Sequence, residues 1–265
     1  MNFLQTYGSW AIVAGASEGL GAEYAKELAA RGLNLILIAR REELLKSLAT
    51  ELAQKYKIRT KVLVLDLSSP DAAEQIIHQT MDLAVGLLVY NAAFSAVGPF
   101  LEKTMDDHLR EIHTNIHSPF KLVYLLGQRL IARKRGGVVL MSSLSAFQGS
   151  AYISTYAATK AFNIVLAESL WEEWRTHGVD VLVCISGAVK TPNYVASEPK
   201  ETGRFSDSTM LPSQVVHEAL DALGKQPYVI PGRMNRFASF VMRHLLPRKM
   251  TIQFMGKILR DMYVK

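Results

Sequence analysis

Residues 10–32 read WAIVAGASEGLGAEYAKELAARG. Trp10 to Gly15 is an apolar run rich in β-formers and closed by glycine, which predicts a buried strand. Over 21–32, Ala22, Ala25, Leu28 and Ala29 share one helical face and Gly32 ends the pattern. Between the two lie Gly15, Gly19 and Gly21, spaced GxxxGxG. The first strand–helix turn of a doubly wound sheet is where a dinucleotide pyrophosphate sits. Glycines let backbone N–H groups approach the phosphates, and the helix N-terminus adds positive dipole. A glycine triplet alone is weak; here its placement, with a second strand about twenty residues on, is the required one.

The same alternation continues outward. Residues 33–39 (LNLILIA) predict a second strand, and 41–57 a helix with Leu44, Leu45, Leu48 and Leu52 turned inward. Further strands are predicted at 60–67, 85–93, 136–143, 179–186 and 227–232. The connections are too long for hairpins and the strands are continuously apolar. This is the pattern of an α/β fold, a doubly wound, mainly parallel seven-stranded Rossmann sheet with helices on both faces. Residues 1–232 read as one dinucleotide-binding catalytic domain. Residues 233–265 read as a basic, amphipathic helical extension packed on that domain, with helices near 234–246 and 249–263 about Pro247.

The chain has 265 residues, 49% of them hydrophobic, enough for a sizeable core. A single cysteine, Cys184, excludes an internal disulfide and a cysteine metal cluster, and no metal is expected. The N-terminus lacks the pattern of a signal peptide and no apolar run is long enough to span a bilayer, so a cytoplasmic location is expected. The net charge of +6 is uneven: from Pro227 onward, eight Lys or Arg face one acid, so the rest of the chain balances to −1.

The tip of the second strand discriminates between dinucleotides. An acid there would bind the adenosine ribose of NAD; here Ala39 is followed by Arg40 and Arg41. An arginine suits a 2′-phosphate. NADP(H) is therefore expected in preference to NAD(H), through Arg40 with Ser17 assisting, although Glu18 in the glycine loop counts the other way.

Residues 142–160 read SSLSAFQGSAYISTYAATK. Tyr156 and Lys160, four apart on a helical pattern, share a face directed at the carboxyl edge of the sheet. Ser142 and Ser143 end a strand and face opposite ways, so only one sees the cleft. Taken with Gly15-x-x-x-Gly19-x-Gly21, Asn91-Ala92-Ala93, Asn115, Ser143 and Thr191, this stretch resembles the short-chain dehydrogenase/reductase family over roughly residues 8–232. The resemblance implies an oxidoreductase in which Tyr156 is the proton donor or acceptor. Lys160 lowers its pKa and binds the nicotinamide ribose, Ser143 stabilises the substrate oxygen, and Asn115 holds a water leading to solvent. It also implies that Gly15, Ser17, Glu18, Gly19, Leu20, Gly21, Arg40, Asp66, Leu67, Asn91, Ala92, Val189 and Thr191 contact the cofactor. The sequence departs from the family pattern at Tyr90-Asn91-Ala92-Ala93, where NNAG is usual, and at Ser186-Gly187, where Pro-Gly is common.

The loops that supply substrate contacts offer Phe94, Leu144, Ala146, Phe147, Tyr152, Ala188, Tyr194 and Met210. This apolar set suggests a lipophilic carbonyl or alcohol. Residues 193–210 suggest a mobile lid. The tail is similar to those of lipid- and steroid-handling ketoacyl reductases, and the family commonly dimerises through the helices near 115–133 and 155–176. The tail fits either a helix packed on the domain or one lying on an anionic membrane. No nucleic-acid module is present. Two alternatives stay open, an NAD-dependent alcohol dehydrogenase and a non-catalytic dinucleotide-binding or membrane-surface protein.

Overall fold

The computed structural model describes residues 3–196 and 209–263; the central part of the 193–210 loop lies outside them. In chain order the elements are α1 (Phe3–Tyr7), β1 (Trp10–Ala14), α2 (Gly19–Ala30), β2 (Asn34–Ala39), α3 (Glu42–Tyr56), β3 (Thr60–Val64), α4 (Ala72–Gln79), β4 (Val85–Tyr90), α5 (Met105–Ile112), α6 (Ser118–Ala132), β5 (Gly136–Ser143), α7 (Ser154–Arg175), β6 (Val179–Ser186), α8 (Pro192–Ala196), α9 (Pro212–Ala222), β7 (Tyr228–Val229), α10 (Arg233–Phe240) and α11 (Arg248–Tyr263). The strands form one sheet in the order β3-β2-β1-β4-β5-β6-β7. Every pairing is parallel.

Side-chain alternation splits β1 between two cores. Ala11 and Val13 join a cluster with Tyr24 and Leu28 of α2, Leu45 and Leu52 of α3, and Val215 and Leu220 of α9. Trp10, Ile12 and Ala14 join Ile76 of α4, Leu122 and Leu126 of α6 and Ile164 of α7 on the other face. The strand order reverses between β1 and β4, and open parallel sheets bind ligands outside that switch point.

Several predicted strands end early. β3 stops at Val64 and β4 at Tyr90, because the chain then turns: Asp66 caps its own turn by accepting from the Ser68 amide at 2.9 Å. The predicted strand at 227–232 shrinks to Tyr228–Val229. The first tail helix is α-helical only to Phe240 and finishes in a π-turn over Val241–Leu245.

Tyr90 occupies the place of an asparagine in the usual NNAG pattern. It is buried, and its hydroxyl donates to the Thr114 carbonyl at 2.7 Å, inside a π-turn over His113–His117 that joins α5 to α6. Tyr90→Phe strands that carbonyl in an apolar setting, at a cost of about 1–3 kcal/mol. A fall in melting temperature of several degrees is expected in differential scanning calorimetry; an unchanged value would show that the bond carries no stability.

Candidate active site

The glycine loop folds as its spacing requires. Gly15 adopts φ +81, and a Cβ there would lie 2.7 Å from the Ala92 backbone. A Cβ on Gly21 would overlap the Gly15 carbonyl, which also accepts from Asn91 Nδ2 at 3.1 Å. The loop is thereby pressed onto the β4 exit. Glu18, the residue before α2, makes no side-chain cap to that helix. The first N–H groups of α2 are thus left to an anion.

A cleft of about 440 Å³ runs from this loop across the sheet edge. Its walls include Gly15, Ser17, Glu18, Gly19, Leu20, Arg40, Asp66, Leu67, Asn91, Ala92, Tyr156 and Thr191, nearly all of the residues expected to hold a cofactor. Arg41, Phe94 and Arg110 join them. Gly21 and Val189 stand behind the wall: Gly21 is the packing glycine, and buried Val189 forms a parallel bridge to Met210. An uncapped helix N-terminus, a rim with two guanidinium groups and a buried lysine fit a phosphorylated dinucleotide.

The charges at the β2 tip fall into two pairs. Ser17 pairs with Arg41 rather than Arg40, accepting from Nη2 at 2.9 Å, and Glu18 binds the same guanidinium at 2.6 Å. Arg40 faces Asp66 at 3.9 Å, a loose and exposed pair. The Arg40 guanidinium is therefore the less committed of the two.

At the opposite end, Tyr156 lies in the first turns of α7 and Lys160 one turn later. Ser143 closes β5 near the Tyr156 phenol, whose pKa it pulls down. Ser142 points away, its hydroxyl donating to the Lys160 carbonyl at 2.8 Å, as strand alternation requires. Ser145 donates to Ser143 Oγ from both its amide (3.3 Å) and its hydroxyl (3.0 Å), which leaves the Ser143 proton to be given away. Lys160 is buried; its ammonium lies 5.5 Å from the Tyr156 ring centre and donates to the Met141 carbonyl at 3.1 Å.

Asn115 sits in the π-turn and acts as a clamp. Its side chain accepts from Phe94 N at 2.9 Å, donates to Phe94 O at 2.8 Å and donates to Thr159 Oγ1 at 3.1 Å. It thus ties the loop after β4 to α7 beside Lys160. π-turns of this kind recur at functional sites.

In the protein itself burial, not Lys160, dominates the phenol. It pushes Tyr156 up to about 12; Ser143 pulls down, while Glu111 and Tyr263 push up. Burial brings the Lys160 ammonium down to about 8, against the Glu111 charge. Glu111 is a group that sequence reading missed. Burial raises its carboxyl to about 7, against the pull of the Ala96 backbone and of the His108 and Lys160 charges, and its own charge supports Lys160. Thr104 and Asp107 form a capping box at the start of α5. That signal, T-x-x-D, could have revealed the helix and, one turn on, Glu111.

The substrate candidates separate. Phe94 lines the cleft, under the Arg110 guanidinium at 4.7 Å. Tyr152 holds φ +66 and its hydroxyl accepts from Arg260 Nε at 3.0 Å, so α11 reaches the rim of the site. Leu144 packs on the core. Ala146 and Phe147 line a second cavity of about 450 Å³ against α7 and the tail. The Ala188 carbonyl accepts from Met210 N at 3.1 Å, the Tyr194 amide donates to Thr191 Oγ1 at 3.2 Å, and Met210 rests on Gly232 and Asn235. The departures from the family pattern are absorbed. Ala93 avoids positive φ, and Gly187 is held against Asn235 of α10. Among the described residues no helix is long and apolar enough to cross a membrane, and no group of His, Cys, Asp and Glu could hold a metal.

A family model described as short chain dehydrogenase matches residues 9–202. The chain is 31% identical over 263 residues, 98% of itself and all of the relative, to a 7beta-hydroxysteroid dehydrogenase of Collinsella aerofaciens. It is 33% identical to a human protein named inactive hydroxysteroid dehydrogenase-like protein 1, over 84% of this chain and 68% of that one. A solved structure concerning 7beta-hydroxysteroid dehydrogenase stereoselectivity superposes with a TM-score of 0.92 at 30% identity, covering 97% of this chain and 100% of that one. A Sphingobium yanoikuyae short-chain dehydrogenase in complex with NADPH gives a TM-score of 0.76 at 25% identity, covering 88% and 92%. With the glycine loop and Tyr156 lining one cleft, buried Lys160 behind the phenol, and these matches over most of its length, the chain belongs to the short-chain dehydrogenase family of oxidoreductases.

Proposed function

We propose that this protein is an NADP(H)-dependent reductase of a lipophilic ketone, ketoacyl or steroid-like. The observation that carries the reading is Tyr156, with Ser143 and buried Lys160 beside it, at one end of a cleft whose other end carries Arg40 and Arg41. The NADPH complex of a structural neighbour and the hydroxysteroid names of relatives support cofactor and substrate class.

The cofactor, when bound, supplies the hydride. The α2 N-terminus and glycine loop hold the pyrophosphate, Arg40 and Arg41 the 2′-phosphate, and Thr191 with the Val189 backbone the carboxamide. Asp66, Leu67, Asn91 and Ala92 border the adenosine. Lys160 has donors left for a ribose hydroxyl besides the one given to Met141. Ser143 offers its proton to the carbonyl oxygen, and Tyr156, protonated at neutral pH, transfers its own to the developing alkoxide. Asn115 keeps Phe94 and α7 in register; a water leading to solvent would sit at its main-chain carbonyl, which already accepts from Asn163 at 3.3 Å.

The test is NADPH oxidation by the purified protein with a panel of lipophilic ketones, and NADH in parallel. Turnover with NADPH alone supports the reading. Equal use of NADH favours the NAD-dependent dehydrogenase. The relative named inactive makes a non-catalytic dinucleotide-binding role the second reading, which absence of turnover with tight cofactor binding would favour.

The pH profile offers a further check. Lys160 is cationic below about 8, and its charge would stabilise the phenolate that Tyr156 becomes on giving up its proton, so kcat for reduction should be level below that pH and fall above it. The Glu111 carboxylate, ionised above about 7, holds the Lys160 proton on. In Glu111→Gln the alkaline limb should therefore move to lower pH. A limb that stays in place removes Glu111 from the proton chemistry.

A further inference from the structure

The first tail helix is built inside out. In α10 the side chains turned inward are Asn235 and Ser239, and in α11 Thr251 is buried as well as Leu259. Asn235 Nδ2 donates to the Pro231 carbonyl at 2.9 Å and Thr251 Oγ1 to the Met242 carbonyl at 3.1 Å. The large apolar side chains are on the outside: Met234 is 68% exposed, Phe237 64% and Leu245 63%, and Phe240, Met250 and Phe254 are exposed too. Met234, Phe237 and Phe240 recur every three residues, on one side of α10, and Leu245 follows one π-turn later. A helix that faces only water has the opposite arrangement, and an exposed apolar patch rimmed by charge marks an interaction surface.

The charges identify the partner. Arg233, Arg243, Arg248, Lys249, Lys257 and Arg260 are exposed around these residues, in a segment of net +7. Two copies meeting through this face would oppose two such segments. An anionic surface would neutralise them. No described helix can span a bilayer, so the geometry is that of a peripheral helix pair. We propose that α10, the following π-turn and α11 form a docking surface for an anionic lipid bilayer, with Met234, Phe237, Phe240, Leu245, Met250 and Phe254 inserting among acyl chains and the basic residues engaging headgroups. The face lies near Tyr156, since Arg260 of α11 holds the hydroxyl of Tyr152, four residues before it, and Tyr263 of α11 acts on the Tyr156 phenol. A membrane-dissolved substrate would then reach the site from the lipid side.

The experiment is flotation of the full chain with vesicles of phosphatidylcholine, alone or mixed with phosphatidylglycerol, at low and high salt. Retention on the mixed vesicles, weaker at high salt and weaker on phosphatidylcholine, is expected. Each basic contact contributes about fivefold to partitioning, so Lys249→Gln with Lys257→Gln should weaken retention about 25-fold. Phe237→Ser with Phe240→Ser should abolish it while the melting temperature changes little, because both rings are largely exposed. No retention of the wild type at low salt overturns the proposal. So does equal retention on both vesicles, or a self-associated state in sedimentation velocity that the phenylalanine variant dissolves, which would assign the face to a second copy.

Discussion

Replacing Tyr156 with phenylalanine is expected to lower kcat for NADPH-dependent ketone reduction by about a thousandfold, within the range of general acid catalysis. NADPH affinity and melting temperature should hardly change. The separation follows from the geometry. Tyr156 is half-buried, with Ser143 beside its hydroxyl and the Lys160 ammonium 5.5 Å from its ring centre. Phenylalanine keeps the ring and loses only the proton. Burial holds the phenol at about 12, so wild-type Tyr156 is protonated across the neutral range and suited to donation. The measurement is single-turnover NADPH oxidation beside a fluorescence titration of the same variant. Retained turnover would require another proton source within reach of the carbonyl oxygen and would end the assignment of Tyr156. Loss of NADPH binding together with turnover would show instead that the cleft had collapsed.

Arg40→Ala should weaken NADPH binding about ten- to a hundredfold and leave NADH binding within about twofold. A charged hydrogen bond contributes about 1.5–3 kcal/mol, and tenfold corresponds to about 1.4 kcal/mol. The neighbouring ion pairs refine the expectation. Arg41 is held by Glu18 at 2.6 Å, whereas Arg40 meets Asp66 only at 3.9 Å. The rim thus carries two cations against two acids, and a phosphate must compete for Arg41. Arg40→Ala should therefore cost more than Arg41→Ala, and Glu18→Gln should tighten NADPH by freeing Arg41. Fluorescence titrations of the three variants with both dinucleotides decide this. Equal losses for NADPH and NADH in Arg40→Ala would place Arg40 away from the 2′-phosphate.

Much of the site was legible in the chain because its signals are local. The run GxxxGxG depends on backbone approach within one strand–helix turn. The Tyr156–Lys160 pair depends on four-residue helical spacing, and the choice between Ser142 and Ser143 on two-residue strand alternation. The strands β5 and β6 were read to the residue, since buried parallel strands are continuously apolar and end at polar residues.

What the chain concealed depends on partners far apart in sequence. The helix α1 is five residues long and could not stand alone; it forms because Phe3 and Tyr7 are buried and the Tyr7 hydroxyl donates to Asp180 at 2.8 Å. Glu111 gains its meaning only when α5 is laid against α7, and Arg260 only when α11 is folded back over Tyr152. The pairing of Ser17 with Arg41 rather than Arg40 is likewise a matter of where two loops meet. Composition showed a basic, amphipathic tail but left open which face it would bury. By itself, then, the sequence determined the alternation of strands and helices and the spacing of the candidate site residues, because periodicity and turn geometry act over a few residues. Only the tertiary structure decided the electrostatic neighbours of those residues and the inside-out first tail helix, because desolvation and charge act through space between segments a hundred residues apart.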